Sequence, residues 1–265
     1  MTDGVLIYAF NNDKTDYVGM AVWSAKNIQH HLQVPVAIVT DNSDDPRLSI
    51  FDKIIIAPAE SGGNRYFEDY DSVVVWNNAS RVDAYSLSPW DTTLVLDADY
   101  VVNSSQLKTL FDVKSDFMCH RYAQNLSTGE LLDGLNTFGD FKMPMWWATV
   151  MLFRKTDYAR DIFKCMQMVK QNWDHYRNLY HIPNRTYRND FALSIAIGIV
   201  SGHTFTVDEI PWPLLSAMPS DKLTNNNNNY TLHCMDNEKP KYISFNDIDF
   251  HAMGKKHLEN IIATN

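Results

Sequence analysis

The sequence predicts an α/β protein with a mostly parallel central sheet flanked by helices and a looser C-terminal third. Short apolar runs alternate with stretches of helical period through the first half of the chain, the pattern of a parallel sheet. No run approaches the roughly 18 apolar residues of a membrane helix. The 265 residues are 45% apolar and 21% charged, the balance of an ordinary packed chain.

Val5 to Phe10 is too brief for a helix and reads as a buried strand. Tyr17, Ala21, Ala25, Ile28 and Leu32 then share one helical face, with Thr15 or Asp16 as N-cap and Pro35 as the stop. Val36 to Thr40, Ile54 to Ala57, Ser72 to Trp76 and Thr93 to Asp97 read as further strands. Ile162, Met166, Val169, Trp173 and Tyr176 recur at spacings of four and three, which predicts one amphipathic helix. Phe191 to Val200 is apolar on all sides, as a helix packed on several faces would be. Beyond Gly202, Pro211, Pro213 and Pro219 break the pattern, and Asn225 to Asn229 reads as a low-complexity loop. With no internal repeat and no linker, a single domain over residues 1–265 is expected.

The formal charge of −9 argues against a protein whose whole surface holds nucleic acid, though not against a local basic groove. Three scattered cysteines, Cys119, Cys165 and Cys234, exclude a disulfide scaffold and a CxxC zinc knuckle. The opening Met-Thr-Asp-Gly-Val-Leu-Ile-Tyr has no basic n-region and no small-residue cleavage site, so no signal peptide is expected. The triplets at Asn78, Asn103, Asn125, Asn184 and Asn229 then carry no glycosylation. The expected location is cytoplasmic, without a membrane partner. GxGxxG, GxxxxGK[ST], GxSxG and HExxH are all absent, which removes the common dinucleotide, P-loop, hydrolase and zinc-protease readings.

Asp97 and Asp99 close the apolar run Leu94-Val95-Leu96. In an extended segment their side chains point the same way, and two converging carboxylates at a buried edge repel. A divalent cation, Mg²⁺ or Mn²⁺, relieves that repulsion and binds a diphosphate in turn. A solvated Asx turn ending a strand fits the same residues.

The stretch Ser80 to Asp91 leading into Leu94–Asp99 resembles the GT-A fold glycosyltransferases, in particular the family 8 group that includes glycogenin. The resemblance implies that Arg81 contacts the donor, and that Ala9, Phe10, Asn11 and Tyr17 hold the nucleobase and ribose. A surface salt bridge from Arg81 to Asp83 or Asp91 is the plainer alternative. Phe250-His251-Ala252-Met253-Gly254-Lys255-Lys256 resembles the family's HxxGxxK signature, with His257 where the lysine is expected. It implies His251 as a third metal ligand beside Asp97 and Asp99, with Ala98, Gly254, Lys255 and Lys256 against the donor. A frayed basic tail would also fit. Arg188-Asn189-Asp190-Phe191-Ala192-Leu193 resembles the family's DQxxLN segment, making Asp190 a catalytic candidate that also suits a helix N-cap. The family's Asn-x-Gly strand falls at Trp147 to Phe153, where Trp147 and Thr149 replace the two signature residues. In outline, residues 1–102 form a nucleotide-binding half, and residues 103–265 an acceptor-side half ending in the metal and phosphate segment.

The resemblance implies transfer of a sugar from a nucleotide-diphosphate donor, UDP-linked, to an acceptor hydroxyl, with retention. Inversion would instead call for a carboxylate base, with Asp190 the candidate. Arg177, Arg185 and Arg188 interleave with Tyr176, Tyr180 and Tyr187, a mixture that suits phosphates and stacked bases or, equally, a helix end with its tyrosines packed inward. Trp147 suits stacking or a core. The chain is also similar to glycosyltransferase-like proteins of tailed bacteriophages, which implies hydroxymethylcytosine in DNA as acceptor, reached by base flipping. Trp147, Arg177, Arg185, Tyr187 and Arg188 are the acceptor candidates. The same chemistry on a protein or glycan, or an inactive domain used for binding, are the alternatives. A sugar-nucleotide pyrophosphorylase would need a Gly-rich loop where Asn11-Asn12-Asp13-Lys14 stands.

Overall fold

The computed structural model describes residues 2–226, 229–236 and 239–264. Among these, a seven-stranded sheet runs in the order Asp208–Glu209, Phe117–His120, Trp147–Arg154, Thr92–Asp97, Asp3–Tyr8, Val36–Thr40, Lys53–Ile56. The strands from Thr92–Asp97 to Lys53–Ile56 are mutually parallel. Trp147–Arg154 runs antiparallel to both neighbours, so the sheet is mixed and mostly parallel.

The alternation of a pleated strand divides the core in two. Leu94 and Leu96 pack with Val5, Ile7 and Ile38 beneath the helix Tyr17–His31. Val95, Leu6, Tyr8 and Met151 pack on the opposite face beneath the helices Asp157–Gln171 and Asn189–Val200. Each such side chain contributes roughly 1.5–3 kcal/mol on burial. Asp16 caps the first helix by accepting the Gly19 N–H at 3.0 Å, which decides between the two expected caps.

Several expectations need correction. The first strand starts at Asp3 and ends at Tyr8, leaving Ala9 and Phe10 as a buried exit from the sheet. Ser72–Trp76 is a strand as expected, but it pairs with Gly63–Phe67 as a separate hairpin. The stripe from Ile162 to Tyr176 spans two helices, Asp157–Gln171 and Trp173–Leu179, because Asn172 leaves helical geometry at φ −118° and ψ 36°. The asparagine run is not a free loop in its described part. Asn225 and Asn226 end one strand and Asn229 begins the next, with Asn225 facing Tyr230; Asn227 and Asn228 lie outside the described residues. Burial of Leu223, Tyr230 and Leu232 overrides the weak strand preference of asparagine there. Far from fraying, the C-terminal segment forms a strand, Phe250–Ala252, and a helix, Lys255–Thr264. No described helix is long and apolar enough to cross a membrane.

Candidate functional site

The carboxyl ends of Asp3–Tyr8 and Thr92–Asp97 open into a cleft of about 570 Å³, where ligands of open parallel sheets bind. Asp97 is the last residue of its strand, and Ala98–Asp99 form a turn rather than the extended segment expected. The carboxylates converge nevertheless, because Ala98 is tucked into the core and the chain resumes at once as Tyr100–Val101. That two-residue strand pairs antiparallel with Phe250–Ala252, setting His251 opposite Tyr100, and the Ala252 N–H donates to the Asp99 carbonyl at 3.0 Å. A short ladder thus carries a residue from the far end of the chain to the acidic turn. Donor atoms of Asp97, Asp99 and His251 lie within 4.8 Å of one another, and His251 Nε2 is 3.4 Å from Asp99 Oδ2.

Cations surround this trio. Lys255, from the first turn of the last helix, pairs with Asp99. Arg81 pairs with Asp97, and donates from Nη1 to the Ala148 carbonyl at 2.8 Å. This replaces the surface bridge to Asp83 or Asp91, since Arg81 is only 2% exposed. Burial alone would push the Asp99 carboxyl up, but Lys255 and His251 hold it well below the usual carboxylate range. Burial works against the charge of Arg81, and Asp97 outweighs it, so its pKa is raised.

Ala148 is free to accept from Arg81 because the Trp147–Arg154 strand bulges. Its register against Phe117–His120 shifts between Trp147 and Met151, and its pairing with Thr92–Asp97 starts only at Val150. Bulges of this kind take backbone groups off the ladder beside functional sites. The freed Ala148 N–H donates to Asp190 Oδ1 at 3.0 Å, while Asp190 Oδ2 accepts from Arg188 at 2.9 Å. Asp190 is not the N-cap, a position held by Arg188, and its carboxylate turns toward the sheet. Burial would raise its pKa; Arg188, the Ala148 N–H and Arg65 together lower it.

Of the expected donor residues, Phe10, Tyr17, Arg81, Asp97, Ala98, Asp99 and Lys255 line the cleft. Ala9 is sealed in the core, and Asn11 is exposed, accepting the Val18 N–H at the helix start. Gly254 and Lys256 lie outside the lining, where Pro219 and Met253 stand instead. Of the acceptor candidates, Trp147 and Arg188 line the cleft. Tyr187 is buried, with its hydroxyl donating to Asn189 at 3.2 Å. Arg177 lies 3.7 Å from Asp174 on its own helix, and Arg185 is exposed away from the lining. Tyr180 is also buried, so the stretch offers no row of exposed rings for stacked bases.

The sequence reading missed the hairpin Gly63–Phe67 and Ser72–Trp76, which brings Asn64, Arg65 and Trp76 to the cleft. Arg65 is the lone Lys or Arg between Lys53 and Arg81, in a stretch holding Glu60, Glu68, Asp69 and Asp71. That isolation was the available signal. Asn189, whose side chain donates to the Asn78 carbonyl at 2.9 Å, was missed as well.

No family model matches the chain, and no curated protein matches its sequence. Solved structures similar to it include the glycosyltransferase GlyE of Streptococcus pneumoniae TIGR4, at 12% identity and a TM-score of 0.48. That match covers 80% of this chain but 45% of GlyE, so the chain spans less than half the length of that relative. The galactosyltransferase LgtC, solved with donor and acceptor sugar analogues, matches at 16% identity and a TM-score of 0.47, over 72% of this chain and 69% of LgtC. Mouse xyloside xylosyltransferase 1 matches at 12% identity and a TM-score of 0.46, over 80% of this chain and 87% of its own.

Proposed function

We propose that the cleft binds a nucleotide-diphosphate sugar, UDP-linked, together with Mn²⁺ or Mg²⁺, and transfers the sugar to an acceptor hydroxyl with retention. The convergence of Asp97, Asp99 and His251 beside Lys255 and Arg81 carries this reading. Two carboxylates and an imidazole suit such a cation, and among the described residues the buried His251 Nδ1 has no hydrogen-bond partner. A cation bound there supplies positive charge against the leaving diphosphate. A cleft of about 570 Å³ falls in the range that accepts a nucleotide sugar. Tyr8, Phe10 and Tyr17 give it an aromatic end fitted to a base and ribose.

In the transfer, the bond from the anomeric carbon to the diphosphate oxygen breaks and a bond to the acceptor oxygen forms. Lys255 and Arg81 offset the charge gathering on the departing oxygens. With both Asp190 oxygens engaged and its pKa lowered, that carboxylate is poorly suited to take a proton. This supports retention, in which the leaving diphosphate oxygen accepts the acceptor's proton while Asp190 holds Ala148 and Arg188 in place.

For the acceptor we propose a hydroxyl of a hydroxymethylated DNA base. Arg188 in the cleft lining supports it, with Arg185 exposed three residues earlier in the chain, and the buried tyrosines shift the contacts from stacking to phosphate charge. Incubation with Mn²⁺ and a panel of UDP-sugars, with hydroxymethylated DNA added, tests both parts. UDP release that depends on one sugar and on the DNA is the expected result. UDP release with glycan and none with DNA would move the acceptor, and no release from any donor would overturn the enzyme.

A further inference from the structure

The cations of the cleft are not equally compensated. Arg81 pairs with Asp97, Lys255 with Asp99 and Arg188 with Asp190. Arg65 forms no ion pair among the described residues. Its guanidinium lies 3.6 Å from the Trp76 ring centroid, and its Nη2 donates to the Tyr187 carbonyl at 3.2 Å. Among the described residues, Nε of Arg65 and Nε of Arg188 are both buried without a hydrogen-bond partner. Burial, and then the repulsion of Arg188, push the Arg65 pKa down to about 10, against the longer-range attraction of Asp190 and Asp97, which leaves it charged at neutral pH.

Stacking on Trp76 orients this guanidinium, and its half-buried position keeps water from Nε. A half-buried guanidinium with no direct ion pair among the described residues, offset only at longer range by Asp190 and Asp97, has capacity for a further counter-charge. Asn64, Asn184 and Thr186 stand beside it in the cleft lining, adding uncharged hydrogen-bonding groups. The diphosphate has its own partners in Lys255, Arg81 and the Asp97–Asp99–His251 trio.

We propose that Arg65, with Arg188 beside it, is an anion subsite that recognises a carboxylate or phosphate borne by the substrate in addition to the donor's diphosphate. The anion sits on the transferred sugar, as in a uronic acid, or on the acceptor, as a phosphate near its reacting hydroxyl. A bidentate guanidinium contact to either is charge-assisted and planar, so Arg65 discriminates anionic from neutral substrates. This rests on the nucleotide-sugar reading of the cleft.

Titration calorimetry with Mn²⁺ present, on the wild type, Arg65→Met and Arg65→Lys, tests it. The probes are UDP, UDP-glucose and UDP-glucuronate, followed by glucose and glucose 6-phosphate added to the UDP complex. The expected result is that one anionic probe binds about tenfold or more tighter than its neutral counterpart. Arg65→Met abolishes that preference, Arg65→Lys keeps part of it, and UDP affinity holds within about twofold in both. A preference for UDP-glucuronate assigns the anion to the sugar; a preference for glucose 6-phosphate assigns it to the acceptor. Equal binding of charged and neutral probes would overturn the subsite. So would a similar loss of UDP affinity in both variants, which would give Arg65 to the diphosphate. Failure of UDP itself to bind wild type with Mn²⁺ would instead sink the nucleotide-sugar reading.

Discussion

Arg81 and Asp190 meet at the backbone of one residue: the Ala148 carbonyl accepts from Arg81 at 2.8 Å, and the Ala148 N–H donates to Asp190 at 3.0 Å. Through Arg81 the link reaches Asp97. The bulge in the Trp147–Arg154 strand therefore ties the acidic turn to the start of the Asn189–Val200 helix.

Removing Arg81 strands two partners at once, the Asp97 carboxylate and the Ala148 carbonyl. Arg81→Met should destabilise the fold by roughly 3 kcal/mol, the cost of breaking a largely buried pair on one side. Urea unfolding at neutral pH measures it; a loss under about 1 kcal/mol would mean that water satisfies both groups.

Lys255 touches Asp99 and lines the cleft, whereas Lys256 does not line it. Lys255→Met should weaken UDP binding in Mn²⁺ by about tenfold, and Lys256→Met by less than about twofold. Calorimetry on the two variants gives the comparison, and a reversed order would place the diphosphate elsewhere.

His120 is fully buried, with Nδ1 2.9 Å from the Trp212 carbonyl and Nε2 without a partner among the described residues. Burial pushes its pKa down to about 4, with the Trp212 carbonyl opposing that shift only in part. The unfolded chain therefore binds this proton more readily than the folded one. Stability from neutral His120 is complete above about pH 6.5 and is lost as pH falls toward 4, by about 3 kcal/mol. Unfolding free energies between pH 7 and pH 4.5 should fall more steeply in wild type than in His120→Gln; parallel curves would contradict the assignment.

A Cβ added at Gly62 would fall on the Trp76 ring, the platform of Arg65. Gly62→Ala should displace that ring and change tryptophan fluorescence. The hairpin is half-exposed and lies outside the central sheet, so global stability should drop by only about 1–2 kcal/mol. Unchanged fluorescence would show that the hairpin absorbs the clash in its backbone.

What could be read from the sequence was what short-range pattern encodes. The apolar run before Asp97 announced a central strand, and the Asp-x-Asp spacing announced convergent carboxylates even though the backbone there turns. His251 came from resemblance alone, because nothing local shows that Phe250–Ala252 will pair with Tyr100–Val101. Long-range pairing hid the hairpin too: Arg65 and Trp76 form a contact that no helical or strand period predicts. The helix break at Asn172 escaped because the apolar stripe keeps its period across it. The asparagine run misled because local preference yields to the burial of Tyr230 and Leu232.

The proposed metal–diphosphate site at Asp97, Asp99 and His251 is tested most directly by thermal melts with Mn²⁺ alone, UDP alone and both together. A ligand at a hundredfold excess over its Kd adds about 2.7 kcal/mol, a rise of roughly 5 °C for a chain of this length. That rise should appear with both ligands together and be lost in Asp99→Asn and in His251→Gln. No rise under any condition, or the same rise with UDP in EDTA and in both variants, would contradict it.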